Sequence, residues 1–277
     1  MELLQAPFER ERAGPTARVV SPLLRLAVGL LAAVALAPTA ELFLPRVGPG
    51  IAQALQGAAV HGGFLAMGLV IAFEGAAAWR APALRVGAAS LIAFILSRWE
   101  PWGAWAFLLM PITLVRECRA HPSLFRTGGP VAPSPRLAVL GLVSGAALGG
   151  HLLVSASLTL GHPVRPPGGD VYLAALLYDV GASALSAEWL FRGVLFSHWW
   201  RHWGFWAAAG LSTAASLVRY LLDPALPPTI EMGAGAVFYI GLLGLCASGL
   251  RAWSGSLVPG YLATVAFFAA YRMLVVG

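Results

Sequence analysis

Apolar stretches long enough to cross a bilayer recur along the 277 residues, and only short segments rich in Pro, Gly and Arg separate them. A spanning helix needs about 20 mostly apolar residues. Nine stretches approach that length, at roughly 22–44, 58–79, 81–97, 103–115, 136–160, 171–200, 204–222, 232–250 and 256–276. The fourth is short, and the second and third could form a re-entrant pair, so the count is eight or nine. Backbone groups in hydrocarbon find partners only within a helix or a closed barrel. Apolar runs of this length predict helices, and the expected fold is an all-α polytopic transmembrane bundle. Only 11% of residues are charged, against about 25% in soluble domains, which excludes a soluble domain. Two cysteines, Cys118 and Cys246, exclude a disulfide scaffold.

All 18 basic residues are arginine. They stand singly between apolar runs, which reads as loop charge rather than a nucleic-acid surface. With the amino terminus inside, the inner segments hold Arg10, Arg12, Arg18, Arg80, Arg85, Arg116, Arg119, Arg126, Arg136, Arg201 and Arg251. The outer segments hold Arg46, Arg98, Arg165 and Arg272. Eleven against four places the amino terminus in the cytoplasm. Residues 1–21 then form a cytoplasmic segment, 22–160 the amino-terminal helices and 161–277 a carboxyl-terminal core. Ala35-Leu36-Ala37 could serve as a signal cleavage site, but Glu9 and Glu11 in the preceding segment argue against a leader.

Ionisable groups inside a span are costly and are suspects for function. Here they are Glu74, Asp179, Glu188, Arg192 and Arg219. Glu74 falls near a helix end and reads as interfacial. Asp179 is open between a lipid-facing and a cavity-facing reading. Glu188 and Arg192 stand four apart on one helical face, acid first, the favourable order for an ion pair. That pair could be purely structural or part of a site. His198 and His202 have metal-pair spacing but lie among Trp199, Trp200 and Trp203, an interfacial belt. Ser212 and Ser216 share a face and suit interhelical contact. Arg219 and Asp223 read as a surface pair, Tyr220 and Tyr261 as interfacial or cavity groups. Ser183 and Ser186 have no base near them in sequence, so any base has to come from folding. No metal or cofactor motif occurs.

Ala187-Glu188-Trp189-Leu190-Phe191-Arg192-Gly193 resembles the first motif, Glu-Glu-x-x-x-Arg, of the CAAX prenyl protease and bacteriocin-processing (CPBP, Abi) intramembrane proteins. Residues 204–223 resemble that family's next helix, which carries Phe-x-x-x-His. Phe238-Tyr239-Ile240-Gly241-Leu242-Leu243-Gly244, and then Ser254-Gly255-Ser256-Leu257-Val258-Pro259, resemble its Gly-rich helix and the start of its last motif. The resemblance covers about the last 110 residues of the sequence.

It also implies what is missing. The family's activating glutamate falls on Ala187, its Phe-x-x-x-His on Ser216 and Tyr220, and its His-x-x-x-Asn on Thr264 and Phe268. Glu188 and Arg192 remain, and Glu188 is the catalytic candidate that is left, with Asp179 or His198 as a further group of a rearranged site. A general base and positioned oxyanion donors are what such hydrolysis needs. The resemblance therefore implies a degenerate member: a pseudoprotease acting as a membrane scaffold or accessory subunit, without cofactor. Its partners would be the lipid bilayer and another transmembrane protein, in a bacterial inner membrane. The alternatives are an active protease rearranged around Glu188 and a transporter-like protein.

Overall fold

The computed structural model describes residues 17–43, 50–99, 102–121, 134–221 and 230–274. Among them the chain is helical and forms no strand; Val164 and Leu274 make one isolated antiparallel bridge. Nine helices follow in order: α1 (Ala17–Phe43), α2 (Ile51–Ala72), α3 (Arg80–Leu96), α4 (Leu109–Ala120), α5 (Pro135–Leu160), α6 (169–203), α7 (Phe205–Leu221), α8 (Ile230–Ser254) and α9 (Val258–Tyr271). Five helical segments are long and apolar enough to cross a membrane, in α1, α2, α3, α5 and α8. The chain is thus all-α with transmembrane helices.

Several boundaries differ from the sequence reading. Helix α2 begins at Ile51 rather than near 58, because Gly50 turns the chain at φ 84° immediately before it. It ends at Ala72, leaving Glu74 exposed in a left-handed turn (φ 51°) beyond the helix. The short fourth stretch is a tighter 3-10 turn, Trp102–Leu108, running into α4, which extends past Glu117. Residues 1–16, Arg46, Arg126 and Asp223 lie outside the described residues.

Helix α6 is continuous but not uniform. Two stretches, Asp179–Ser183 and Glu188–Leu195, have π-helical hydrogen bonding, with one α-helical turn, Ala184–Ala187, between them. Such local widening in helices is frequent at functional sites. It falls on the segment whose polar residues the sequence singles out.

The chain forms two compact units, which do not follow chain order. One comprises residues 11–126 with 173–190; the other holds 127–172 with 191–277. In the first, α2 packs against α1, α3 and the 184–187 turn of α6. Trp189 seats on α2 where Gly68 has no side chain, and its indole N–H donates to the Leu65 carbonyl at 3.1 Å. In the second, α5 and α9 make the closest pair. Lipid gives helices no hydrophobic reason to associate, so close backbone approach over small residues supplies the packing. Gly141, Gly145 and Gly149 fill that role on α5, facing Pro259, Ala263 and Ala270 of α9. Tyr239, Leu243, Phe267 and Phe268 form the adjoining apolar core.

Arg85 on α3 and Glu117 on α4 make a two-pronged ion pair, Nε–Oε1 and Nη2–Oε2 both 2.6 Å. The Arg85 guanidinium holds the buried Glu117 carboxyl below its ordinary 4.5, against the opposing effect of burial. A carboxyl lowered in the folded state stabilises above its ordinary value, and that contribution is lost as pH falls through the lower folded value. Thermal unfolding in detergent should therefore show stability declining below about pH 4.5. Glu117→Gln should flatten that decline. An unchanged acid profile in the variant would remove this pair from the account.

Candidate functional site

Among the described residues, polar side chains of different helices meet at several places, His151 with Tyr239 and Arg85 with Glu117 among them. Two such places, one in each unit, are centred on deeply buried groups. In the carboxyl-terminal unit the centre is Arg192, 2% exposed. Its Nη1 donates to Ser216 Oγ of α7 at 2.9 Å. The guanidinium also lies against Gly244 of α8, where a Cβ would overlap it, close to Thr213. The wide turn at Glu188–Leu195 carries Arg192, and Gly244 on α8 leaves its head group the space it occupies. Ser216, expected to be a small interhelical contact, is in fact the hydroxyl acceptor for a buried cation.

One helical turn beyond Ser216, the Tyr220 ring packs on Phe268 of α9 with centroids 5.7 Å apart. Arg219 stacks its guanidinium over the same tyrosine at 4.3 Å, a cation–π contact. Thr264 is buried, 1% exposed. The fold thus brings together Arg192 with Ser216, and Tyr220 with Phe268. Tyr220 is an aromatic ring packed against another ring.

Ala187 and Glu188 belong to the other unit, at 0% and 1% exposure. Asp179 is likewise fully buried, which removes its lipid-facing reading. His198 and His202 face each other with rings 5.2 Å apart at the end of α6, and Trp199 stacks on Trp203 beside them. No group of three or more metal-ligating residues occurs among the described residues.

The second polar centre was not visible in the sequence. His61 lies in the middle of α2, 4% exposed. Its Nδ1 is 2.9 Å from Ser186 Oγ and its Nε2 is 2.9 Å from Tyr178 OH, both on α6. The imidazole stacks flat on Phe94 of α3, centroids 5.6 Å apart and planes 7° from parallel. Phe107 closes the aromatic wall edge-on to both Phe94 and Tyr178. Gly181, in the first π-helical stretch, lets α6 approach the Phe107 backbone. Ser186 sits on the α-helical turn between the two wide stretches, so its position depends on both. The sequence did offer one signal: a lone imidazole in a helix otherwise without ionisable groups.

Comparison with protein-family models, curated proteins and solved structures finds no match to this chain.

Proposed function

We propose that this is a polytopic membrane protein of eight or nine spans with a cytoplasmic amino terminus, whose carboxyl-terminal helices are a degenerate form of the CPBP core. The glutamate-type peptidase chemistry of that family is lost in it. The chain acts as a scaffold or accessory subunit, holding a transmembrane segment of a partner in a bacterial inner membrane. The observation that carries this reading is the Tyr220–Phe268 ring contact. It stands where the resembled family places a catalytic histidine and an asparagine, and it puts carbon against carbon where hydrolysis needs positioned water and oxyanion donors. The buried Ser216 hydroxyl supports it further, since it is held by Arg192.

Two measurements test it. Isolation from native membranes in mild detergent should recover a stoichiometric membrane partner, intact. Glu188→Gln should change no peptide cleavage, because the positions where the resembled family carries its base and histidines are Ala187, Tyr220 and Thr264 in this chain. A partner that the natural chain cleaves, and that accumulates uncleaved with folded Glu188→Gln protein, would overturn the pseudoprotease reading. Losing a base or an oxyanion donor removes roughly 10²–10⁴-fold in rate, so the two outcomes are far apart.

A further inference from the structure

We propose that Ser186 is a nucleophile activated by His61, forming a serine-type acyl-transfer site for carboxylic esters dissolved in the bilayer. This goes beyond the scaffold reading and does not rest on it, because it uses none of Ala187, Glu188, Tyr220 or Thr264. The geometry has the three parts that mark an activated nucleophile: a hydroxyl, a base within hydrogen-bond reach and a third group that orients the base. Ser186 Oγ and His61 Nδ1 are 2.9 Å apart, and Tyr178 OH lies 2.9 Å from Nε2. Phe94 stacked on the imidazole holds its plane.

The proton positions follow from the partners. A neutral imidazole carries one donor and one acceptor nitrogen. In the reactive tautomer Nε2–H donates to the Tyr178 oxygen and Nδ1 accepts from Ser186. The Ser183 carbonyl, 3.3 Å from Ser186 Oγ, is a longer and competing acceptor for the same proton. In the first step Oγ bonds to the ester carbonyl carbon and its proton passes to Nδ1, leaving a tetrahedral oxyanion. The carbon–oxygen bond to the alcohol then breaks, and the alcohol takes the proton from Nδ1. Water repeats the sequence on the Ser186 ester, releasing the acid and restoring the hydroxyl.

The chemistry of the third group selects the substrate. In serine hydrolases with an anionic third member, a carboxylate stabilises the imidazolium. The group hydrogen-bonded to Nε2 is the Tyr178 phenol rather than a carboxylate, and the site is assigned to esters, whose alcohols leave more readily than the amines of amides. Phe94 and Phe107 enclose the dyad in apolar surroundings, the setting for an ester dissolved in lipid rather than in water. Ser186 and His61 are 0% and 4% exposed, so the probe must be small and membrane-soluble.

The full chain in mild detergent would be treated with a small alkyl fluorophosphonate at pH 8, and the modified residue located by peptide mass. The expected result is covalent label on Ser186, slowed about 100-fold or more by His61→Phe, in keeping with the worth of a general base. Tyr178→Phe should retain labelling on Ser186 at a reduced rate, since it removes the group that fixes the tautomer. The chain should also hydrolyse a nitrophenyl decanoate, with Ser186→Ala inactive. Should Ser186→Ala fail to fold, the label site in the natural chain and the His61→Gln rate decide instead. Folded protein that takes no label on Ser186 overturns the proposal, and so does label taken at the same rate without His61. Neither outcome bears on partner binding, so this site and the scaffold reading fail separately.

Discussion

Gly145→Leu should lower the unfolding temperature steeply, whereas Gly150→Leu, five residues further along the same helix, should leave it nearly unchanged. A Cβ at Gly145 would overlap the Ala263 carbonyl of α9, and its carbonyl carbon and Cα lie within 2.7 Å of the same point. The obstacle is helical backbone, which cannot rotate out of the way as a side chain can. Gly150 has nothing within 4 Å of its Cβ position. Extra carbon forced into a packed interface costs about 1–3 kcal/mol and occasionally more. Here the helices would have to separate along the whole Gly141–Gly145–Gly149 face, losing dispersion contacts over several turns. Against a total stability of roughly 5–15 kcal/mol that is a large fraction. The series Gly145→Ala, Gly145→Val and Gly145→Leu should lower the detergent unfolding temperature in that order. If Gly145→Leu unfolds no earlier than Gly150→Leu, α5 and α9 do not pack as described.

The helical class was legible because hydrocarbon leaves backbone groups little alternative to a helix, so long apolar runs need no finer signal. Helix edges were less so. The start of α2 at Ile51 depends on the left-handed Gly50, a local geometry that hydropathy does not register. The π-helical stretches of α6 leave no mark in hydropathy either, yet they set where Ser186 and Arg192 stand. Polar contacts divide in the same way. Glu188 and Arg192 stood out because four residues separate two opposite charges. Ser186 and His61 are 125 positions apart, and only folding makes them neighbours. Ser216 was recognised as a small residue on a shared face, but its role as the acceptor of Arg192 is a tertiary contact. Asp179 could not be placed from sequence because hydropathy does not tell a lipid face from a buried one; its full burial answers that.

Arg192→Leu should be the most damaging change of a charged residue, and the reason lies in what it leaves behind. Arg192 holds Ser216 Oγ at 2.9 Å and fills the space beside Gly244. Its removal orphans the Ser216 hydroxyl, and a hydrogen bond from a charged donor is worth about 1.5–3 kcal/mol. On one continuous helix, Glu188 is four residues away and also buried. Where the two charges pair, as their spacing in the sequence predicts, stranding one member costs about 3–5 kcal/mol, more than the hydrogen bond to Ser216. Lysine should not rescue the position, because a single ammonium cannot reproduce the forked donors of guanidinium. Ser216→Ala should be mild by comparison. Glu188→Gln and Arg192→Leu should each lower the yield of monodisperse protein, and the double variant should fall less than the sum of the two. That shortfall is the interaction between them. If the two losses simply add, Arg192 is held by α7 and α8 alone, and Glu188 has a separate role. If both single variants assemble normally, the fold does not depend on a Glu188–Arg192 pair, and the reading of the sequence that joins them fails.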